Sequence, residues 1–173
     1  MIALVVGHKS SAKGAKNPDF GVFEFDFNSR LAKDIQNKCK EKTEIIYRTT
    51  YKALPSNINA KNPEFIISLH CNAFNQQATG TETLYYHKST NGKKLAKIIQ
   101  KKLVAALGLT DRGIKGKTAE DRGGYLLRYT KAPCVICEPF FIDNLLDFET
   151  ARQKYDDLVD AYARGIEEAK LNL

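Results

Sequence analysis

Three of the most apolar runs in this chain stop on a side chain that can bind a metal or carry a proton. Val5-Val6-Gly7-His8 ends on an imidazole, Phe65-Ile66-Ile67-Ser68-Leu69-His70 ends on another, and Val135-Ile136-Cys137-Glu138 ends on a carboxylate. The chain has only three histidines, and two of them hold this kind of position. Short β-branched runs of this sort read as buried strands, and open α/β sheets bind ligands outside the carboxyl ends of their strands. Three parallel neighbouring strands would bring His8, His70 and Glu138 to one spot. Glu24 is a fourth candidate. It follows Phe23 of a helical apolar stripe by one residue, in the first turn, where the helix macrodipole favours a carboxylate.

Two histidines and a carboxylate form a known zinc set for hydrolysis, with a water completing a tetrahedron. Zinc lowers the pKa of such a water to about 7 and polarises a carbonyl. A further carboxylate that does not ligate can shuttle protons to a leaving amine. His8, Glu24 and His70 fill the ligand roles and Glu138 the acid/base role. Each residue alone has an ordinary reading: a hydrogen-bonded strand-end histidine, a first-turn acid, a solvated strand terminus. No H-E-x-x-H motif is present, so the argument rests on the four residues together.

The elements that must position them follow from the rest of the sequence. Apolar, β-branched runs alternate with longer helical patterns, which predicts an α/β fold with a largely parallel sheet. Strands are expected at 2–7, 44–48, 64–69, 82–86 and 134–137, with a weaker sixth near Gly124–Leu127. Helical stripes run through Phe23, Phe27, Leu31, Ile35 and Cys39, through Leu95, Ile99, Leu103 and Leu107, and through Tyr155, Leu158, Tyr162 and Ile166. Each stripe is a core face. The chain has 173 residues, 43% of them hydrophobic and 27% charged, which fits one domain with its own core and excludes disorder, collagen and coiled coil.

No apolar run reaches the roughly 18 residues of a membrane span. The opening Met1–Val6 has no basic leader and no small-residue cleavage site, so it reads as a strand and not as a signal peptide. Synthesis in the cytoplasm is therefore expected. Cys134 and Cys137 form a C-x-x-C inside an apolar strand run. Positions three apart on a strand face opposite ways, so reduced, buried thiols are expected.

These segments resemble the zinc-dependent N-acetylmuramoyl-L-alanine amidases of the third amidase class, which include bacterial wall amidases and many phage endolysins. The likeness runs almost end to end. Val5-Val6-Gly7-His8 is similar to the opening strand with its first ligand, and Glu24 matches the second. Ser68-Leu69-His70-Cys71-Asn72-Ala73 is similar to the "S-[IL]-H-x-N-A" segment carrying the third. Gly80–Tyr86 resembles the strand that follows. Pro133–Asn144 is similar to the closing "P-x-[VL]-x-x-E-x-x-F-[IV]-x-N" signature, whose glutamate, here Glu138, is the acid/base. The resemblance implies a twisted six-stranded sheet with helices on both faces and one catalytic domain over residues 1–173. It also implies one Zn2+ and cleavage of the amide between the lactyl group of N-acetylmuramic acid and L-alanine. An endolysin would wait in the cytoplasm and act on the wall after release.

Lys and Arg number 27 against 20 Asp and Glu, a net charge of +7. The surplus is local: residues 88–131 hold twelve Lys/Arg against three Asp/Glu, a net of +9. Five lysines (93, 94, 97, 101, 102) lie on the polar face of the second helix, and Arg112, Lys115, Lys117 and Arg122 lie in an expected loop over 111–124. Such a patch is either a solvated face or an attractor for an anionic polymer. The aromatics do not interleave with it as a nucleic-acid platform requires, so no nucleic acid is expected; the resemblance implies bacterial peptidoglycan as the partner, and no membrane insertion is expected. Asn72, Arg112 and Arg128 are possible substrate contacts. His87 is expected to be exposed, and Asn144 is either a helix cap or a site residue. Two rival readings stay open: a zinc peptidase cutting another wall-peptide bond, and a non-catalytic basic module binding wall polymer or nucleic acid. The sequence leaves the oligomeric state open.

Overall fold

A strand buried on both faces has no reason to alternate polar and apolar residues. β1 (Ile2–Val6) and β3 (Ile66–Leu69) are buried throughout, and β6 (Cys134–Glu138) is buried up to its last residue. In this computed structural model, which describes residues 1–173, they form the centre of one six-stranded sheet. The remaining strands are β2 (Thr43–Tyr47), β4 (Thr81–Tyr86) and β5 (Asp111–Lys117), and the order across the sheet is β2-β1-β3-β6-β4-β5. The first four in that order run parallel, β4 is antiparallel to β6, and β5 is parallel to β4. The result is a mostly parallel α/β sheet, as the alternation of runs and stripes predicts.

Helices cover both faces. On one, Ile2, Leu4, Val6, Ile67 and Cys137 pack against α1 (Glu24–Lys38), α3 (Thr90–Leu107) and α6 (Tyr155–Asn172), whose stripes supply Leu31, Ile35, Leu95, Ile99, Leu103, Leu158, Tyr162 and Ile166. On the other, Ala3, Val5, Ile66, Cys134 and Ile136 meet only two short helices, α2 (Leu54–Ala60) and α4 (Gly124–Tyr129). The thin layer matters: six- and seven-residue helices cannot roof the sheet, and a groove stays open above its carboxyl ends. Cys134 and Cys137 fall on opposite faces, and all four cysteines are free thiols.

Local chemistry sets the helix ends. Ser89 Oγ accepts from Gly92 N at 2.9 Å at the start of α3, a normal N-cap, and Gly108 ends the helix in the left-handed region at φ +69°. Asn144 Oδ1 accepts from Asp147 N at 3.1 Å and caps α5 (Leu145–Gln153). No helix is long and apolar enough to cross a membrane.

Two expectations are corrected. The stretch near Gly124–Leu127 is α4, not a strand. A four-residue apolar run carries no periodicity that separates the two; here Leu126 and Leu127 are both buried against the sheet. The sixth strand is β5, inside the stretch read as a loop over 111–124. Asp111-Arg-Gly-Ile-Lys-Gly-Lys lacks an apolar face because it pairs on one side only and stands at the exposed edge, where charge and glycine discourage further pairing. Helices α2, α4 and α5 have no sequence stripe long enough to announce them.

Candidate functional site

Register brings the strand tips together. Val6 pairs with Leu69, and Leu69 pairs with Cys137, so His70 and Glu138 leave adjacent strands side by side. His70 N donates to Cys137 O at 3.0 Å, and Gly7 N donates to Leu69 O at 2.9 Å. His8 lies just beyond β1 with φ +66°, a conformation that non-glycine residues adopt at a cost. The chain then doubles back: Phe25 N donates to Lys13 O and Glu24 N to Ala15 O. That return delivers the first turn of α1 to the same tips.

The Glu24 carboxylate is 1% exposed and stands between both imidazoles. Its Oε1 lies 2.9 Å from His70 Nδ1 and accepts from Cys71 N at 3.0 Å, while Oε2 lies 3.0 Å from His8 Nε2. The two rings sit 5.5 Å apart. Burial pushes the carboxyl pKa up, but the two imidazoles that face it, His70 first and then His8, outweigh burial and hold the group well below the usual range. One ligand atom from each of the three residues falls within 4.8 Å of the other two.

The donors suit a divalent cation. His8 Nε2 is buried and makes no hydrogen bond even though Glu24 Oε2 is 3.0 Å away. A ring nitrogen facing a carboxylate oxygen without hydrogen-bond direction is an orphan, and buried orphans are rare unless a further group takes their lone pair. Imidazole nitrogen and carboxylate oxygen are zinc ligands with bonds of about 2.0–2.2 Å.

Glu138 is half-buried at the neighbouring tip. Burial raises its pKa first of all; His70 and Arg122 oppose that, while Glu82 and Glu24 add to it, and the net shift is upward. Glu82 pairs with Glu138 directly across the β4–β6 ladder. It accepts from Asn72 Nδ2 at 3.0 Å and pairs with Arg112 Nε at 2.9 Å.

These groups border a cavity of about 470 Å³. Val5, Ser68, Leu84 and Ile136 of the strands line it, with Arg48, Tyr51 and Leu54 from beyond β2 and Lys117, Glu120–Gly123 and Tyr125 from the segment leading into α4. Asn72 borders it through the Glu82 contact. Arg112 is on β5, tied to Glu82 and stacked over Phe141 at 5.0 Å. Arg128 lies elsewhere, over Tyr86 and Tyr129, in a separate depression with Lys88 and Lys131. His87 is exposed just past β4, and Asn144 serves as the α5 cap.

Looking only at the carboxyl ends of strands passes over Glu82, because β4 runs the other way and presents its first residues to the site. Arg48 directly follows β2 and obeys the same rule that singles out His8 and His70.

The fold is shared with cell-wall amidases. A family profile described as N-acetylmuramoyl-L-alanine amidase matches residues 2–168. The chain belongs to that family. It is 31% identical over 157 residues to the N-acetylmuramoyl-L-alanine amidase LytC of Bacillus subtilis strain 168, a match covering 85% of this chain and 30% of LytC. The crystal structure of an N-acetylmuramoyl-L-alanine amidase from Clostridium difficile 630 superposes with a TM-score of 0.86 at 25% identity, over 99% of this chain and 97% of that one. The catalytic domain of the CD27L endolysin, which targets Clostridia difficile, gives 0.81 at 27% identity over 96% of both chains.

Proposed function

We propose that residues 1–173 are a zinc-dependent catalytic domain that cleaves the amide between N-acetylmuramic acid and the L-alanine of the stem peptide. The convergence of His8, Glu24 and His70, with Glu138 at the next tip, carries the reading. The three residues would hold one Zn2+, which when bound polarises the amide carbonyl and makes water a better nucleophile. Glu138, as the carboxylate, takes the proton of the attacking water and passes it to the alanine nitrogen as the amide breaks. The open groove admits a polymer, and the thin α2/α4 layer is what keeps it open.

Likeness to an endolysin catalytic domain supports a role as a phage or prophage lysin acting on the wall after release. The experiment combines metal analysis of the purified chain with digestion of wall peptidoglycan before and after chelation. About one zinc per chain, chelator-sensitive digestion, and glycan chains freed from intact stems are expected. Cuts within the stem peptide would assign a peptidase instead, and unchanged wall binding with no products would assign a binding module.

A further inference from the structure

We propose that Arg48 is a specificity residue that recognises the free α-carboxylate of the second stem residue, an inference resting on the amidase reading above. Arg48 borders the cavity, is half-buried, and takes part in none of the ion pairs of the chain. Among the other charged groups around the site, Glu82 pairs with Arg112, Asp121 accepts from the Thr118 amide and Glu24 meets both histidines; Lys117 and Arg122 also make no ion pair, but neither is seated on an aromatic ring as Arg48 is. The Arg48 guanidinium lies over the Tyr51 ring at 5.7 Å, and that ring is buttressed by Tyr125 at 5.6 Å. An arginine seated on an aromatic face has already lost much of its rotamer freedom, and its planar fork suits a carboxylate.

The chemistry of the substrate leaves one nearby acid. The lactyl carboxyl of muramic acid is consumed in the scissile amide, and the carboxyl of alanine in the next peptide bond. A γ-linked D-glutamate at position two then carries the first free carboxylate.

Position agrees. Tyr47 pairs with Val6, so Arg48 stands one strand beyond His8, on the opposite side of the histidines from Glu138. Neighbouring strands are about 4.8 Å apart, which puts the β2 and β6 tips about 14 Å apart. With the leaving nitrogen at Glu138, two stem residues cover at most about 7 Å, and the long Arg48 side chain spans the rest from the β2 side.

The test uses two soluble glycan fragments bearing L-Ala–γ-D-Glu or L-Ala–D-isoglutamine, which differ only in carboxylate against amide. The wild-type chain should show kcat/KM about 10-fold or more higher on the acid, expressed in KM, as expected for a charge-assisted hydrogen bond. Arg48→Gln should bring the acid down to the level of the amide, so that the acid-to-amide ratio of kcat/KM falls to about one, with a melting curve showing that the variant folds; Arg48→Lys should fall between. Equal wild-type rates on both fragments, a preference that survives Arg48→Gln, or an equal loss on both would each overturn the inference while leaving the amidase reading intact. A wild-type chain that cuts neither fragment overturns both.

Discussion

Gly14 and Gly113 share one backbone conformation, φ +78° at each, in two contrasting parts of the molecule. A Cβ on Gly14 would come within 2.6 Å of His8 Cδ2 and 2.7 Å of Glu24 Oε2 and His8 Nε2. A Cβ on Gly113 would meet nothing within 4 Å. At Gly14 the conformation exists because the chain must turn tightly beneath two converging side chains. At Gly113 it exists because Arg112 is one residue too many in the pairing of β5 with β4, where Asp111 opposes Thr81 and Gly113 opposes Glu82. Such a bulge re-aims a side chain, and here Arg112 lands on Glu82. The same dihedral is thus part of the wall around the His8–Glu24–His70 cluster in one place and part of an edge that reaches the site only through a charge in the other.

Removing a ligand breaks the first region outright. His70→Ala or His8→Ala is expected to abolish zinc binding and to lower kcat/KM by three decades or more, since metal polarisation supplies several kcal/mol at about 1.4 kcal/mol per decade. Metal analysis and wall digestion read both effects. The next largest effect separates holding the metal from moving the proton: Glu138→Gln should keep zinc and lose about 10²–10⁴-fold in kcat.

The same variant has a pH signature. Burial raises the Glu138 carboxyl above its ordinary value, so the folded chain binds more protons than the unfolded one between the ordinary and the raised pKa. The contribution of Glu138 to stability is full below the ordinary value and is lost as pH climbs through the raised one. Wild-type activity should fall on the acid side as Glu138 protonates. In metal-free protein, Glu138→Gln should melt no lower than wild type at neutral pH, and the gap should close on acidification.

The contrast between the two regions also decides what the sequence discloses. The central parallel strands are apolar but for Ser68, so a titratable residue at each tip stands out, and His8, His70 and Glu138 are visible for that reason. Glu24 is visible because a long stripe fixes its helix. Edge strand β5 has no such contrast: its charge and glycine content, which keep an exposed edge from pairing further, are those of a loop. Glu82 hides because its strand runs backwards, and antiparallel direction is a property of topology, not of any run of residues. The short helices α2 and α4, which leave the groove open, are below the length at which periodicity speaks.

The two glycines give the sharpest comparison because the substitution is the same. Gly14→Ala carries the left-handed penalty and a collision with His8 and Glu24, so zinc affinity should fall about 10–100-fold, as for other changes that displace ligands without removing them, and activity should fall with it. Gly113→Ala carries only the penalty of about 1–2 kcal/mol for an L-residue in that conformation, a drop in Tm of about 2–8 °C for a domain of this size. Zinc content should be unchanged and kcat/KM should stay within about twofold, because open space around Gly113 lets the bulge, and with it the Arg112–Glu82 pair, survive. Melting curves and zinc titrations of the two variants measure this directly. Equal loss of zinc in both would mean that the edge governs the ligands as strongly as their own loop does, and the division between the two regions would fail.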